Sequence, residues 1–275
     1  MKLLEVQTPR ISASSYSNTA PLVWSFLYGR NHGKVEIILD NAPSRSAELL
    51  AQDRVDAALV PVIAYQTIDD LRLVPDVCVG AREKVRSVCL ITKGAELKKV
   101  RSVALDTSSL TSIMLTKIIF REFLGFEPEW RRAEPDIDKM LSNADCALLI
   151  GDPALQLSEP TAVTGGLTQR VFDLAELWRQ HTGLGFVFAM WMTQRAAIDI
   201  DFARARDEGL AHLDEIAANY QNDIALPPGE MKEYLSENIS YSIDGPMRRG
   251  MELYFELAAK NDLIPENKAL RFVGD

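Results

Sequence analysis

The sequence predicts an α/β fold in two lobes, with the chain crossing between them twice. Three observations carry that prediction. From Ile11 to Val62 the apolar pattern alternates strand, helix, strand, helix, strand. The same alternation restarts after a charged stretch that ends at Lys99. A nearly continuous apolar run, Phe186 to Met192, then offers a strand that returns to the first lobe.

Taken in order, Ile11 to Ser14 reads as the first strand. Thr19 to Tyr28 reads as a helix with Pro21 in its first turn, where the missing N–H costs nothing. Val35 to Leu39 is a second strand, Ser44 to Gln52 a short helix, and Ala57 to Val62 an apolar strand closed by Pro61 and its neighbours. Such a run calls for parallel pairing with right-handed crossovers. Leu73 to Val79 and Ser87 to Thr92 are extended, and Lys93-Gly94 with the charges up to Lys99 reads as the first crossing. Beyond it come a strand at Val100 to Asp106 and a strongly apolar helix at Leu110 to Leu124, stopped by Gly125. Pro128 to Ala133 is a strand, Ile137 to Asn143 a helix and Ala147 to Ile150 a buried strand. The remainder is helical. Leu210, Leu213, Ala217 and Tyr220 recur at helical spacing, as do Met247, Met251, Tyr254 and Ala258, and Asp244-Gly245-Pro246 opens the last helix. The expected lobes are residues 1–92 with 190–275, and residues 93–189. This is the periplasmic-binding-protein architecture of the second type, in which a ligand sits between lobes at strand C-terminal ends and helix N-termini.

Composition narrows the partners. The chain has 275 residues, 47% of them hydrophobic and 25% charged, the balance of a globular protein with a substantial core. A formal charge of −9 argues against nucleic acid, because phosphate binding needs a basic face. The N-terminal residues carry neither a long apolar segment nor a small-residue cleavage site, and no apolar run approaches a membrane span. A cytoplasmic protein is expected. Cys78, Cys89 and Cys146 sit in apolar runs without CxxC pairing and read as reduced, buried thiols. His32, His181 and His212 are not spaced as metal ligands, so no metal site is expected.

Two hydroxyl-rich clusters stand out, Ser15-Tyr16-Ser17-Asn18-Thr19 with Pro21-Leu22, and Ser108-Ser109-Leu110-Thr111-Ser112. Each follows a strand and opens a helix, an arrangement that aims free backbone N–H groups and short donors at one point. Gly151-Asp152-Pro153 follows a third strand. Together these suit a small molecule rich in carboxylates. Helix capping is the structural alternative for Asn18, Ser109, Thr111 and Ser112, and a turn is the alternative for Asp152.

The blocks also have a family likeness. Alongside Ser15 to Leu22 stand Val85-Arg86-Ser87-Val88, Val103 to Ser109 with Thr111-Ser112, and Ala147-Leu148-Leu149-Ile150-Gly151-Asp152. Trp178, Thr182-Gly183-Leu184 and Phe186-Val187-Phe188-Ala189 complete the set. In this order they resemble the chorismate dehydratases of the futalosine route to menaquinone, from Arg10 to about Met192. Two departures are visible: Pro61-Val62-Ile63-Ala64-Tyr65 replaces a more polar Pro-Ser-x-Glu-Tyr, and Leu110 stands where Arg is frequent. The first is expected to alter a cleft wall and the second to remove a cationic contact.

The resemblance implies a hydro-lyase that converts chorismate to 3-(1-carboxyvinyloxy)benzoate without a cofactor. It implies functional roles for Asn18 and Ser87, as donors to the substrate and to its leaving hydroxyl. Ser17, Thr19, Ser109, Thr111, Ser112, Gly151 and Asp152 are expected to bind substrate. No histidine falls in these blocks, and Asp106 and Asp152 are the only carboxylates at their strand ends. The expectation is therefore that the substrate's own enolpyruvyl carboxylate removes the proton. The competing readings are the related 1,4-dihydroxy-6-naphthoate synthase, for which a cleft histidine is expected, and a noncatalytic solute-binding protein on the same scaffold. A transcriptional effector domain lacks a basic helix-turn-helix segment ahead of the lobes.

Overall fold

In the computed structural model, residues 8–41, 43–157, 163–164, 167–227 and 229–275 are described. The first lobe begins with β1 (Arg10–Ser14), a 3-10 turn at Ser17–Thr19 and α1 (Ala20–Leu27). There follow β2 (Glu36–Asp40), α2 (Pro43–Ala51), β3 (Ala57–Pro61), a single-turn α3 (Ala64–Thr67) and β4 (Arg72–Ala81). β1 pairs in parallel with both β2 and β3, as the helical connections demand.

The second lobe starts with β5 (Val88–Thr92), then β6 (Ser102–Asp106), α4 (Leu110–Ile118), β7 (Glu129–Ala133), α5 (Ile137–Asn143), β8 (Cys146–Ile150) and the short α6 (Asp152–Leu155). A two-residue pairing of β9 (Val163–Thr164) with β10 (Leu167–Thr168) precedes β11 (Arg170–Asp173) and α7 (Leu174–Thr182). The sheet order is β11-β5-β8-β6-β7.

The chain then returns as β12 (Phe186–Thr193), which lies between β3 and β4 and antiparallel to both, giving β2-β1-β3-β12-β4. α8 (Phe202–Leu210), α9 (Leu213–Ile224), α10 (Glu230–Glu233) and α11 (Gly245–Lys260) close the first lobe. The fold is the expected two-lobed α/β architecture. Among the described residues, no helix is long and apolar enough to cross a membrane.

The changeover between sheets differs from the expected boundaries. β5 pairs with β8, Val88 opposite Ile150, so the first crossing runs through Arg82–Ser87 and not after Thr92. Every residue of β5 is buried, and such a strand needs neighbours on both edges, which β8 and β11 supply. The charged stretch to Lys99 is a connection within the second lobe. β12 lies wholly in the first sheet, so Phe186 to Ala189 belong there as well. Two helical readings also change. The helix expected over Leu110 to Leu124 ends as α4 at Ile118 and widens into a π-type segment over Ile119–Leu124, before Gly125 stops it at φ 80°. The stripe from Leu210 to Tyr220 spans a break at Ala211–His212 between α8 and α9.

α11 fixes the return strand by close packing. A Cβ at Gly250 would lie 2.0 Å from the Gly185 carbonyl oxygen, a backbone atom that cannot turn aside. Gly250→Ala should therefore destabilise the protein by about 1–3 kcal/mol, the usual range for overpacking, as read by chemical denaturation.

Candidate functional site

The N-terminal residues of α1 and α4 meet across the gap between the sheets. The cleft there is lined by Ser14, Asn18, Thr19, Ser109 and Ser112 as polar groups, with Tyr16 over one side. Its walls are apolar, from Leu59 and Pro61 of the first lobe to Val88 and Ile150 of the second, with Phe188 of the return strand. The empty volume is about 510 Å³ including the mouth. Apolar walls strengthen each hydrogen bond made inside by lowering the local dielectric.

Each predicted residue has a distinct place. Asn18 lines the cleft, half-buried on the 3-10 turn before α1. Ser109 is the N-cap of α4 in extended geometry, and Ser112 sits one turn on, its hydroxyl 3.4 Å from that of Ser109. Neither side chain caps the helix, and the first N–H groups of an α-helix have no partner within it. Ser87 is fully buried at the end of the crossing, with its Oγ 3.4 Å from the Val85 carbonyl.

The other predicted residues are engaged within the protein. Thr19 Oγ1 donates to the carbonyls of Ser14 (2.7 Å) and Tyr16 (2.8 Å), which folds the turn. Thr111 joins the lobes: its Oγ1 accepts from Ile63 N at 3.2 Å, and its carbonyl accepts from Tyr254 Oη at 3.1 Å. Ser17 Oγ donates to Asp152 at 2.5 Å, and Ser17 N approaches both carboxylate oxygens at 3.3 Å. This is a second inter-lobe contact. Gly151 adopts φ 75° and ψ −149°, a conformation open essentially to glycine alone, and a Cβ there would meet the Tyr16 ring at 2.8 Å.

Three ionisable groups surround this contact. Burial raises the pKa of Asp152, with Ser17 pulling it back. Asp106 is likewise raised by burial and pulled back by Ser108, whose N–H it accepts at 2.9 Å. Among the described residues, Asp106 Oδ2 has no hydrogen-bond partner. Burial also raises Tyr16, the Ser108 hydroxyl opposes it, and the charges of Asp106 and Asp152 add to the rise.

None of the departing residues, Val62, Ala64 and Leu110, lines the cleft, whereas Pro61, which keeps the family's residue, does. Ile63, Ala64 and the exposed Leu110 line a separate groove with α2. No histidine lines the cleft: His181 stacks on Phe123 and His212 on Trp24, and His32 lies in the turn after α1. Trp24 faces the α1–α9 groove, and Trp191 packs against Phe202 in the core. Among the described residues, no three His, Cys, Asp or Glu side chains converge as a metal set would. Sequence reasoning passed over Tyr16 and Phe188 as wall residues. Tyr16 stands between Ser15 and Ser17 in the first hydroxyl cluster and was within reach.

Comparison with known proteins adds three findings. The profile of a family described as menaquinone biosynthesis matches residues 9–260. A chorismate dehydratase of Thermus thermophilus is 34% identical over 235 residues, covering 80% of this chain and 85% of that protein. Among solved structures, a protein of Archaeoglobus fulgidus superposes with a TM-score of 0.73 at 15% identity, covering 94% of this chain and 100% of the other. The periplasmic aliphatic sulphonate binding protein of Escherichia coli gives 0.62 at 16% identity, with 97% and 94% covered. These structural likenesses establish the fold.

The Ser17–Asp152 contact should bias the lobes toward closure. A hydrogen bond to a charged group contributes about 1.5–3 kcal/mol. Ser17→Ala should therefore shift the open and closed populations by on the order of tenfold toward open. A larger radius of gyration by small-angle scattering would register the change.

Proposed function

The chain belongs to this menaquinone-biosynthesis family, and from that premise we propose that it is a chorismate dehydratase. It converts chorismate to 3-(1-carboxyvinyloxy)benzoate and water. The observation that carries the reading is the convergence of Asn18 and the uncapped start of α4 on one apolar-walled cleft, in a chain 34% identical to a chorismate dehydratase. A small-molecule dianion is the partner, and the protein is a cytoplasmic enzyme.

The reaction needs positioning above all. Ser109, Ser112 and the free N–H groups of α4 hold the ring carboxylate at a helix N-terminus, where a negative charge is stabilised. The hydrogen on the carbon bearing the enolpyruvyl ether is vinylogous to that carboxylate. Its removal sends the bonding pair into the ring as an extended enolate. The pair then returns to expel the neighbouring hydroxyl, and aromaticity drives the step. Asn18 and Ser87 donate to the departing oxygen, which leaves as water once it has acquired a proton. Oxidation level does not change overall, so no redox cofactor is called for.

The proton goes first to the substrate's enolpyruvyl carboxylate, and that proton and the expelled hydroxide make up the water lost. Asp152 is committed to Ser17, and Asp106 faces Ser108. A second ionised carboxylate against a dianion would also repel it. Proximity of this kind lowers a barrier by roughly 7–11 kcal/mol in favourable cases.

The purified protein, mixed with chorismate without metal or nucleotide, should yield a product lighter by one water with an aromatic ultraviolet spectrum. Binding without turnover would instead identify a solute-binding protein, and neither would point to the substrate of the naphthoate-forming relative. Asn18→Ala and Ser87→Ala should each lower kcat by on the order of a hundredfold, the usual cost of losing one donor to a developing charge. Asp106→Asn should keep kcat within about tenfold of the parent, since a base lost outright costs about 100-fold or more. Its loss of turnover with affinity intact would overturn proton removal by the substrate.

A further inference from the structure

Arg86 is the centre of a γ-turn. Its φ is 60°, and Ser87 N donates to the Val85 carbonyl at 2.7 Å, the i→i+2 hydrogen bond of that turn. With positive φ this is the rare, strained form, and a residue bearing a Cβ keeps it only where the surroundings over-determine it. The strain falls beside the site. Val85 and Val88 both line the cleft, and Arg86 and Ser87 stand between them.

Ser87 inherits its orientation from this turn. Its N–H is spent on Val85, and its carbonyl accepts from Gly151 N at 2.7 Å. The contact of its hydroxyl with the Val85 carbonyl is 3.4 Å long, too long to hold the hydroxyl firmly. The backbone therefore decides where the serine points, and any relaxation at Arg86 turns it.

Two carboxylates hold the turn, one from each lobe. Asp173, from the second, accepts the Val85 and Arg86 N–H groups. Glu230, from α10 in the helical return of the first, pairs with the Arg86 guanidinium at 2.7 Å, and both side chains are mostly buried. A charge-assisted bond in such surroundings is stronger than a neutral one and less screened than an exposed pair. The two grips are complementary. With the Arg86 N–H fixed, a change of φ swings the side chain about the N–Cα bond and off Glu230, so the ion pair opposes relaxation of the turn.

We propose that Glu230 is a positioning residue for the dehydration, which acts through Arg86 to keep the γ-turn strained and the Ser87 hydroxyl aimed at the departing oxygen. Glu230 itself is not among the residues that line the cleft. This inference rests on the dehydratase reading.

The test is Glu230→Ala, which removes the carboxylate and leaves a good helix former in its place. The expected result is a fall in kcat of roughly tenfold, as misplacement of a reacting group produces, with KM within about threefold of the parent. The discriminating step is a rescue. Glycine holds positive φ without steric cost, so adding Arg86→Gly to Glu230→Ala should return kcat to within about threefold of the parent. Adding Arg86→Ala should leave the loss in place, because alanine keeps the strain and brings no clamp. A purely structural role for the ion pair predicts the same loss in both double variants, and that result would overturn the inference. An unchanged kcat in Glu230→Ala, where the parent protein turns over chorismate, would overturn it as well and leave the dehydratase reading standing. A parent protein that leaves chorismate intact would overturn both.

Discussion

The Asp173 carboxylate accepts four backbone N–H groups from two separate segments, and the geometry of the cleft depends on it. One oxygen takes Ala175 N and Glu176 N at 2.9 and 3.1 Å, capping α7. The other takes Val85 N and Arg86 N at 3.0 and 2.6 Å, gripping the segment that crosses between lobes. Burial pushes this carboxyl up to about 6, and the four N–H groups oppose that rise. Arg86 is held at φ 60°, a region that non-glycine residues enter only under constraint. Ser87 follows immediately, so one buried side chain sets where the crossing ends and where the serine begins.

The electrostatics of the molecule run against its ligand, and the cleft answers with neutral donors. A net charge of −9 repels a dianion at long range, while solvent and salt screen that repulsion within about 10 Å. Inside, the lining offers serine, asparagine and helix N–H groups between aliphatic walls. Neutral donors carry no ionic hydration shell that must be stripped. They also stabilise the charge that gathers on a ring carboxylate as the neighbouring proton leaves.

Much of this was legible in the sequence because it is local. Period-two and period-3.6 patterns marked β1 to β3 and their helices, and the strand-to-helix hydroxyl clusters marked Asn18, Ser109 and Ser112. What escaped depends on partners far along the chain. β5 is apolar on both faces, and only its pairing with β8 and β11 assigns it to the second sheet. Arg170 to Asp173 and α7 went unread for the same reason, since their meaning lies in the crossing they clamp. Thr19 and Thr111 are hydroxyls like Ser109, and nothing in their neighbourhood reveals that one closes a turn and the other bridges to Ile63.

The loop from Tyr16 to Thr19 carries the ring that rests on Gly151, the hydroxyl that reaches Asp152, and then Asn18. On these consecutive residues, gating and assembly would be a single event. Parting the lobes would take Tyr16 and Ser17 from their partners on the opposite lobe and Asn18 from the start of α4. An anion too small to hold both lobes would then meet only half of the arrangement, so that selection would work through commitment as well as through fit.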